Sequence, residues 1–311
     1  RQGADARPGR AVAHTPMNHI PTKTEIREAL TEAGLRPDTA RGQHFLIDGN
    51  LMRLLVAEAD LGPADTVLEV GAGVGNLTGL LAAEAGRVVA VEVDRRLVDI
   101  ARGRLAGAGN VDLIAADALA DKHHVGPEVV AAVRRAQEAL GGPVKLVANL
   151  PYQAATPLVA DLVLDPAPPE RLVFTVQEEV ADRLAARPAT RAYGPVGVLV
   201  QAVAEVAMLR RLPPDVFWPR PAVRSAMVRV RPSEPRRGRI ADLAALRRTV
   251  TGLFAHRRKR AARSLALADP SGGAVDEWVA RLAACGLDAS ARAEAYTVEE
   301  IVRLAGALAE R

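Results

Sequence analysis

What most constrains this chain is an alternation of short apolar runs and helix-patterned segments, punctuated by one glycine-rich turn. Residues 66–70, Thr66-Val67-Leu68-Glu69-Val70, form an apolar run that stops at Gly71. Hydrophobic spacing predicts a helix over 76–85, a strand over 87–93, a helix over 97–105 and a strand over 111–115. It continues with a helix over 129–140, a strand over 144–148, a helix over 157–164 and a strand over 171–176. Strands separated by helices at this pitch pair in parallel, with helices on both faces. The expected fold class is therefore α/β with a Rossmann-like sheet. Ligands on such sheets bind at the C-terminal strand ends, near the point where strand order reverses.

Before the alternation, 24–33 and 48–59 read as helices, the second with Asp48 as a plausible N-cap. Residues 1–22 are rich in Arg, Ala, Gly and Pro and read as a flexible tail. Residues 23–231 are the expected Rossmann-like domain. Around 232–239 the composition turns to Pro, Arg and Gly, which reads as a linker. Helix patterns over 243–254, 275–285 and 298–308 make 240–311 a small all-helical domain.

The 311 residues are 49% hydrophobic and 25% charged, a mixture that folds and excludes a disordered chain. One cysteine, Cys285, rules out an intramolecular disulfide and a thiolate zinc cluster. There is no uncharged apolar run of 18 residues, so no transmembrane helix is expected. The start, at Arg1 rather than Met, lacks the apolar core of a secretory signal, and its weak amphipathic pattern disfavours a transit peptide. A cytoplasmic, reducing location and a monomer are the expectations. The net charge is +4, but residues 210–263 carry 16 Lys and Arg against three acids, Asp215, Glu234 and Asp242. Such a block suits a phosphate-backbone partner; a merely solvated basic surface is the plainer alternative.

Gly71-Ala72-Gly73-Val74-Gly75-Asn76 follows a strand and opens a helix. Gly71 and Gly73 permit a tight turn and close approach of a ligand to the backbone. The strict dinucleotide fingerprint needs glycine where Asn76 stands. The G-x-G-x-G spacing instead suits a cofactor without a pyrophosphate, such as S-adenosylmethionine. Glu92 ends the next strand, 21 residues after Gly71, where a carboxylate can accept both ribose hydroxyls. Asp117 closes the third strand and can accept from an adenine amino group. Taken singly, each acid could be an N-cap or a surface charge. In order at successive strand ends, they make a cofactor site.

Asn149-Leu150-Pro151-Tyr152 closes the fourth strand. These residue types suit methylation of a planar amino group, whose lone pair is delocalised into its ring. The Asn149 side-chain carbonyl and the Leu150 backbone carbonyl can accept its two N–H bonds. Pro151 fixes the turn and has no competing N–H. Tyr152 offers an aromatic face for a base. A strand-end turn with Asn and Pro for local reasons is the competing reading. His123-His124 lacks a nearby third ligand and reads as a solvated loop, so no metal is expected. Cys285 and Trp278 read as core.

With these motifs in place, the chain from about residue 22 to 308 resembles the ribosomal RNA adenine dimethyltransferases, in particular their bacterial small-subunit branch. Thr24-Glu25-Ile26 and Gly34-Leu35-Arg36-Pro37 resemble the opening helix. Gly42-Gln43-His44-Phe45-Leu46-Ile47-Asp48 resembles the motif that closes over the methionine end of the cofactor. Gln177 to Leu184 and Tyr193-Gly194 resemble the segment after the fifth strand. Phe217-Trp218-Pro219-Arg220-Pro221 resembles the loop whose aromatic packs on the target base. Arg257-Arg258-Lys259 is similar to a basic helix of the C-terminal domain, and Arg292-Ala293-Glu294 to the closing motif.

The resemblance implies an S-adenosylmethionine-dependent methyltransferase fold and cofactor contacts at His44, Leu46, Gly71, Gly73, Glu92, Asp117 and Asn149. It implies a target adenine held among Asn149, Leu150, Pro151, Tyr152 and Phe217, with Tyr152 and Phe217 sandwiching the base. Docking of RNA falls to Arg220, Arg257, Arg258, Lys259 and Arg260. The implied activity is transfer of methyl groups to N6 of two adjacent adenines in a small-subunit (16S) rRNA hairpin, the partner being that rRNA or the pre-30S subunit, in ribosome biogenesis. The chain departs from the pattern at His44, where Asn is commoner, and at Ala222, Arg224 and Arg263. Residues 122–142 read as an inserted loop and helix. Three rivals stand beside this reading. A macrolide-resistance methyltransferase of large-subunit rRNA is disfavoured by the full helical tail. A non-catalytic assembly factor on the same fold is disfavoured by intact Asn149, Pro151 and Tyr152. A nicotinamide oxidoreductase is disfavoured by the missing third glycine.

Overall fold

A computed structural model describes residues 20–39, 42–121, 124–269, 271 and 273–309. The N-terminal tail expected over 1–22 thus falls mostly outside the described residues. Its last part belongs to the fold. Ile20 packs against a core cluster, Pro21 is buried and Thr22 caps the first helix in a reciprocal box with Glu25.

The strands are β1 (Phe45–Leu46), β2 (Thr66–Val70), β3 (Arg87–Glu92), β4 (Val111–Ala115), β5 (Val144–Asn149), β6 (Arg171–Gln177), β7 (Ala204–Leu212), β8 (Phe217–Trp218) and β9 (Ser225–Pro232). The main sheet has seven strands in the order β4-β3-β2-β5-β6-β9-β7. The first five are parallel, as the alternation requires; β9 and β7 add two antiparallel strands at one edge. Strand order reverses between β2 and β5, so the ends of these two neighbours form the switch point.

Before the crossovers come α1 (Lys23–Glu32) and α2 (Gly49–Ala59), with Asp48 as the N-cap of α2. The crossovers are α3 (Asn76–Glu84), α4 (Arg95–Arg104), α5 (Pro127–Leu140), α6 (Tyr152–Leu164) and α7 (Glu178–Leu184), which precedes α8 (Pro195–Val203). α5 is not an insertion: Val129, Ala132 and Ala136 sit in the main core beneath β2 and β3, making it the crossover between β4 and β5. Lys122 and His123 lie outside the described residues. α6 starts earlier than its periodicity suggests. The Pro151 carbonyl accepts the Ala154 and Ala155 N–H groups, so the helix runs from Tyr152 through Pro157.

The expected linker is clamped. It holds a short helix, α9 (Glu234–Arg237). Arg236 donates to the carbonyls of Gln201 and Ala204, and Arg237 to those of Val163 and Asp165. Charge-assisted bonds to four carbonyls replace the freedom that the composition suggests. Beyond it, α10 (Leu243–Ala255), α11 (Ala261–Ala268), α12 (Val275–Ala284) and α13 (Val298–Ala309) share a core that includes Leu246, Leu253, Leu282 and Ile301. That core also takes in Tyr193 and Val198, and the Tyr193 hydroxyl donates to the Tyr296 carbonyl at 2.9 Å. Trp278 is buried within it and Cys285 packs at its margin.

Candidate active site

The site forms where β2, β3 and β5 end. Gly71 follows β2 with φ +82°, and its N–H and that of Ala72 donate to the Val91 carbonyl of β3. The chain can bend so tightly only without a side chain: a Cβ on Gly71 would lie 3.0 Å from the Pro151 ring, and one on Gly73 (φ +56°) 2.9 Å from the Phe45 ring. The turn thus touches both the tetrapeptide and the segment that follows α1.

Glu92, 7% exposed, is the turn's electrostatic partner. Its Oε2 accepts the Gly73 N–H at 2.9 Å and its Oε1 the Asp94 N–H at 3.0 Å. Burial pushes its carboxyl above the ordinary value, against the pull of these N–H donors. Deeper in, Glu69 is wholly buried and accepts the Thr78 hydroxyl at 2.6 Å. Burial, with Glu92 nearby, pushes Glu69 up to about 8. Exposed Asp117 accepts the Leu119 N–H at 3.0 Å and lines the same cleft. That cleft, of about 1240 Å³, runs from Gly71, Glu92 and Asp117 past Pro151 and Gln153 to Arg247 and Thr251 of α10.

The tetrapeptide is held from three sides. The Asn149 Nδ2 donates to the His44 carbonyl at 2.8 Å, and its Oδ1 accepts the Thr175 hydroxyl at 2.5 Å. The Leu150 N–H donates to the Thr175 carbonyl at 3.2 Å. The Tyr152 hydroxyl shares a 2.8 Å hydrogen bond with Ser225 Oγ, and its ring lies 5.6 Å from that of His44. His44 Nδ1 is 2.7 Å from the Pro219 carbonyl. A carbonyl only accepts, so Nδ1 carries the proton and the ring ties β1 to the loop after β8.

Two expectations are corrected. Phe217 does not face Tyr152 across an open space. It is 2% exposed, pairs with Leu46 across β1 and β8, and packs in a cluster with Leu51 and Leu55. The ring beside Tyr152 is that of His44. Residues 257–259 are not helical; they form the turn between α10 and α11. There Ser264 Oγ accepts the His256 N–H and donates to the Gly252 carbonyl, satisfying the end of α10.

The basic block is partly committed to the fold. Arg211 and Arg224 pair with Glu178, Arg229 pairs with Glu58, and Arg257 donates to the Arg191 and Tyr193 carbonyls. Arg220, Arg258, Lys259, Arg260 and Arg263 are exposed and form no ion pair among the described residues. His124 pairs with Asp121, and no cluster of metal-ligating side chains occurs among the described residues. Among the described residues no helix is long and apolar enough to cross a membrane.

Sequence reasoning missed Thr175, Ser225 and Glu69. Each carried a faint signal, a polar residue within or at the end of an apolar strand run, without any indication of its partner.

Whether these residues fit S-adenosylmethionine can be tested on the geometry. The Glu92 oxygens take the Gly73 and Asp94 N–H groups and, with about four acceptor sites between them, keep capacity for ribose hydroxyls. Asn76 Nδ2 is buried without a hydrogen-bond partner and belongs to a residue lining a small cavity with Leu46, Gly71 and Asn149. A buried donor left unsatisfied beside the turn is a place for a polar ligand group. The fit is good.

Sheet order, glycine turn, strand-end carboxylate and Asn-Leu-Pro-Tyr together define an S-adenosylmethionine-dependent methyltransferase. The chain matches the family described as Ribosomal RNA adenine dimethylase over residues 36–309, and it belongs to that family. It is 36% identical over 291 residues to a Geobacillus protein named Ribosomal RNA small subunit methyltransferase A, covering 93% of this chain and 97% of that one. Proteins of the same name from Pelotomaculum thermopropionicum and Streptomyces coelicolor are 40% and 39% identical, each covering 90% of this chain and 94% of the relative. Among solved structures, a dimethyladenosine transferase from Plasmodium falciparum superposes with a TM-score of 0.69 at 20% identity, covering 84% of this chain and 96% of that one. The 23S rRNA methyltransferase ErmE gives 0.61 at 24%, covering 85% and 99%. These two likenesses speak to the fold.

Proposed function

We propose that this chain dimethylates N6 of two adjacent adenines in a hairpin of small-subunit ribosomal RNA, acting as a monomer on a pre-30S particle in the cytoplasm. The small-subunit relatives, similar along nearly their whole length, support that substrate over a large-subunit one. The observation that carries the chemistry is the Asn149 amide, fixed at the switch point beside the Gly71 turn.

S-adenosylmethionine supplies a methyl group made electrophilic by its sulfonium. Glu92 receives the ribose hydroxyls, Asp117 the adenine amino group, and the backbone at Gly71 and Gly73 lets the donor lie close. Leu46, the His44 segment and Asn76 close over its methionine end. Asn149 Oδ1 and the Leu150 carbonyl accept the two N–H bonds of the target nitrogen and aim its lone pair at the donor. Tyr152, anchored by Ser225, stacks on the flipped base. Orientation and electrostatics, not acid–base chemistry, are the protein's share. Exposed Arg220, Arg258, Lys259 and Arg260 hold the RNA backbone, with Arg257 adding its charge from a structural position.

The test is methyl transfer from labelled cofactor to small-subunit particles lacking the modification, with large-subunit RNA as control. Wild type should label only the first, and Asn149→Ala should label neither while still binding RNA. Near-wild-type labelling by Asn149→Ala would overturn the site.

A further inference from the structure

We infer that Thr175 is a positioning residue for methyl transfer, anchoring the acceptor end of an Asn149 amide whose facing the His44 carbonyl sets. The inference rests on the reading of Asn149 given above.

An asparagine amide has an acceptor end and a donor end of nearly equal shape, so its orientation is set by its neighbours. Asn149 has two. The His44 carbonyl, 2.8 Å from one end, can only accept, so the nitrogen must face it. The oxygen then faces Thr175, whose hydroxyl donates to it at 2.5 Å. Turned the other way, the amide would set its oxygen against the His44 carbonyl.

The Thr175 hydroxyl is well suited to this task. It sits on β6 opposite Asn149 of β5, and Thr175 is 1% exposed. A hydroxyl so buried needs a partner and has one. Its donation occupies one lone pair of Oδ1 and leaves the other for an incoming N–H. The Thr175 carbonyl meanwhile accepts the Leu150 N–H. One residue thus holds both members of the proposed acceptor pair, Asn149 by its side chain and Leu150 by its backbone. Without the hydroxyl, Oδ1 loses its fixed partner and the amide is free to tilt. The base would still bind by stacking, but its lone pair would no longer be aimed.

The experiment separates this role from a structural one. Thr175→Val keeps the volume and the backbone bond to Leu150 while removing the hydroxyl; Thr175→Ser keeps the hydroxyl. Methyl transfer to unmodified small-subunit particles, cofactor binding by calorimetry and thermal melting are measured on both and on Asn149→Ala. Since misplacement of about 1 Å costs up to about 100-fold in rate, Thr175→Val should lower kcat by about 10-fold or more. KM for the particle and cofactor affinity should stay within about twofold, and Thr175→Ser should recover most of the rate. Wild-type kcat in Thr175→Val with Asn149→Ala inactive would overturn the role of Thr175 alone. An active Asn149→Ala would overturn the site itself. Should Thr175→Val not fold, Thr175→Ala takes its place: a kcat lowered by about 10-fold or more, with Thr175→Ser near wild type, supports the role, and wild-type kcat overturns it.

Discussion

Glu92 Oε2 accepts the Gly73 N–H at 2.9 Å, joining the end of β3 to the glycine turn after β2 across 19 residues of chain. The carboxylate therefore shapes the turn before any ligand arrives. It stays buried because N–H groups offset part of its desolvation.

Removing that carboxylate should weaken cofactor binding more than folding. Hydrogen bonds to charged groups contribute about 1.5–3 kcal/mol each, so Glu92→Ala, which loses both ribose hydroxyls, should lose about 100-fold or more in affinity. Calorimetry with S-adenosylhomocysteine reads this directly. Affinity within twofold of wild type would remove Glu92 from the site.

Gly71→Ala should damage stability and activity together. A side chain at φ +82° costs about 1–2 kcal/mol, a fall in Tm of about 2–3 °C in a chain of 311 residues. The added Cβ also meets the Pro151 ring at 3.0 Å and pushes on the tetrapeptide. A melt combined with a methylation assay checks both; loss of Tm with full activity would show that the turn does not position Asn-Leu-Pro-Tyr.

Glu69 predicts a pH dependence. Its carboxyl is raised from 4.5 to about 8 in the folded chain by burial. The folded state therefore holds a proton that the unfolded chain has released, and the stability this contributes is full below pH 4.5 and lost as pH rises towards about 8. Glu69→Gln, which cannot ionise, should lose less Tm than wild type between pH 6 and 8.5, a range chosen about that pKa. Parallel Tm–pH curves would contradict the raised pKa.

Arg257 and Arg258 should separate, although they are neighbours in one basic run. Charge reversal at either should weaken RNA binding and flatten its salt dependence. Only Arg257→Glu should also lower Tm, because only its guanidinium bonds the Arg191 and Tyr193 carbonyls. Equal Tm values for the two variants would mean that those bonds carry no stability.

β2, β3, β5 and β6 were legible because they are buried on both faces and read as apolar runs, as in Val67-Leu68 and Val88-Val89-Ala90-Val91. Gly71, Glu92, Asp117 and Asn149 were legible because a parallel sheet brings successive strand ends to one edge. β7 was not: Ala204–Leu212 is a half-exposed edge strand with a bulge between Met208 and Arg210, and its mixed composition resembles a surface loop. Nor was the burial of Phe217, which follows from the pairing of two dipeptide strands, β1 and β8, far apart in the chain. The sequence by itself determined the five parallel strands, the glycine turn and the chemical types gathered at their ends, because these depend on local spacing and on apolar runs within each strand. Only the tertiary structure decided that Asn149 lies between His44 and Thr175, that Tyr152 leans on Ser225, and that Arg257 serves the fold. Those are meetings between side chains from different elements, and a pairing across 105 residues, as for Asn149 and His44, leaves no periodic trace in either segment.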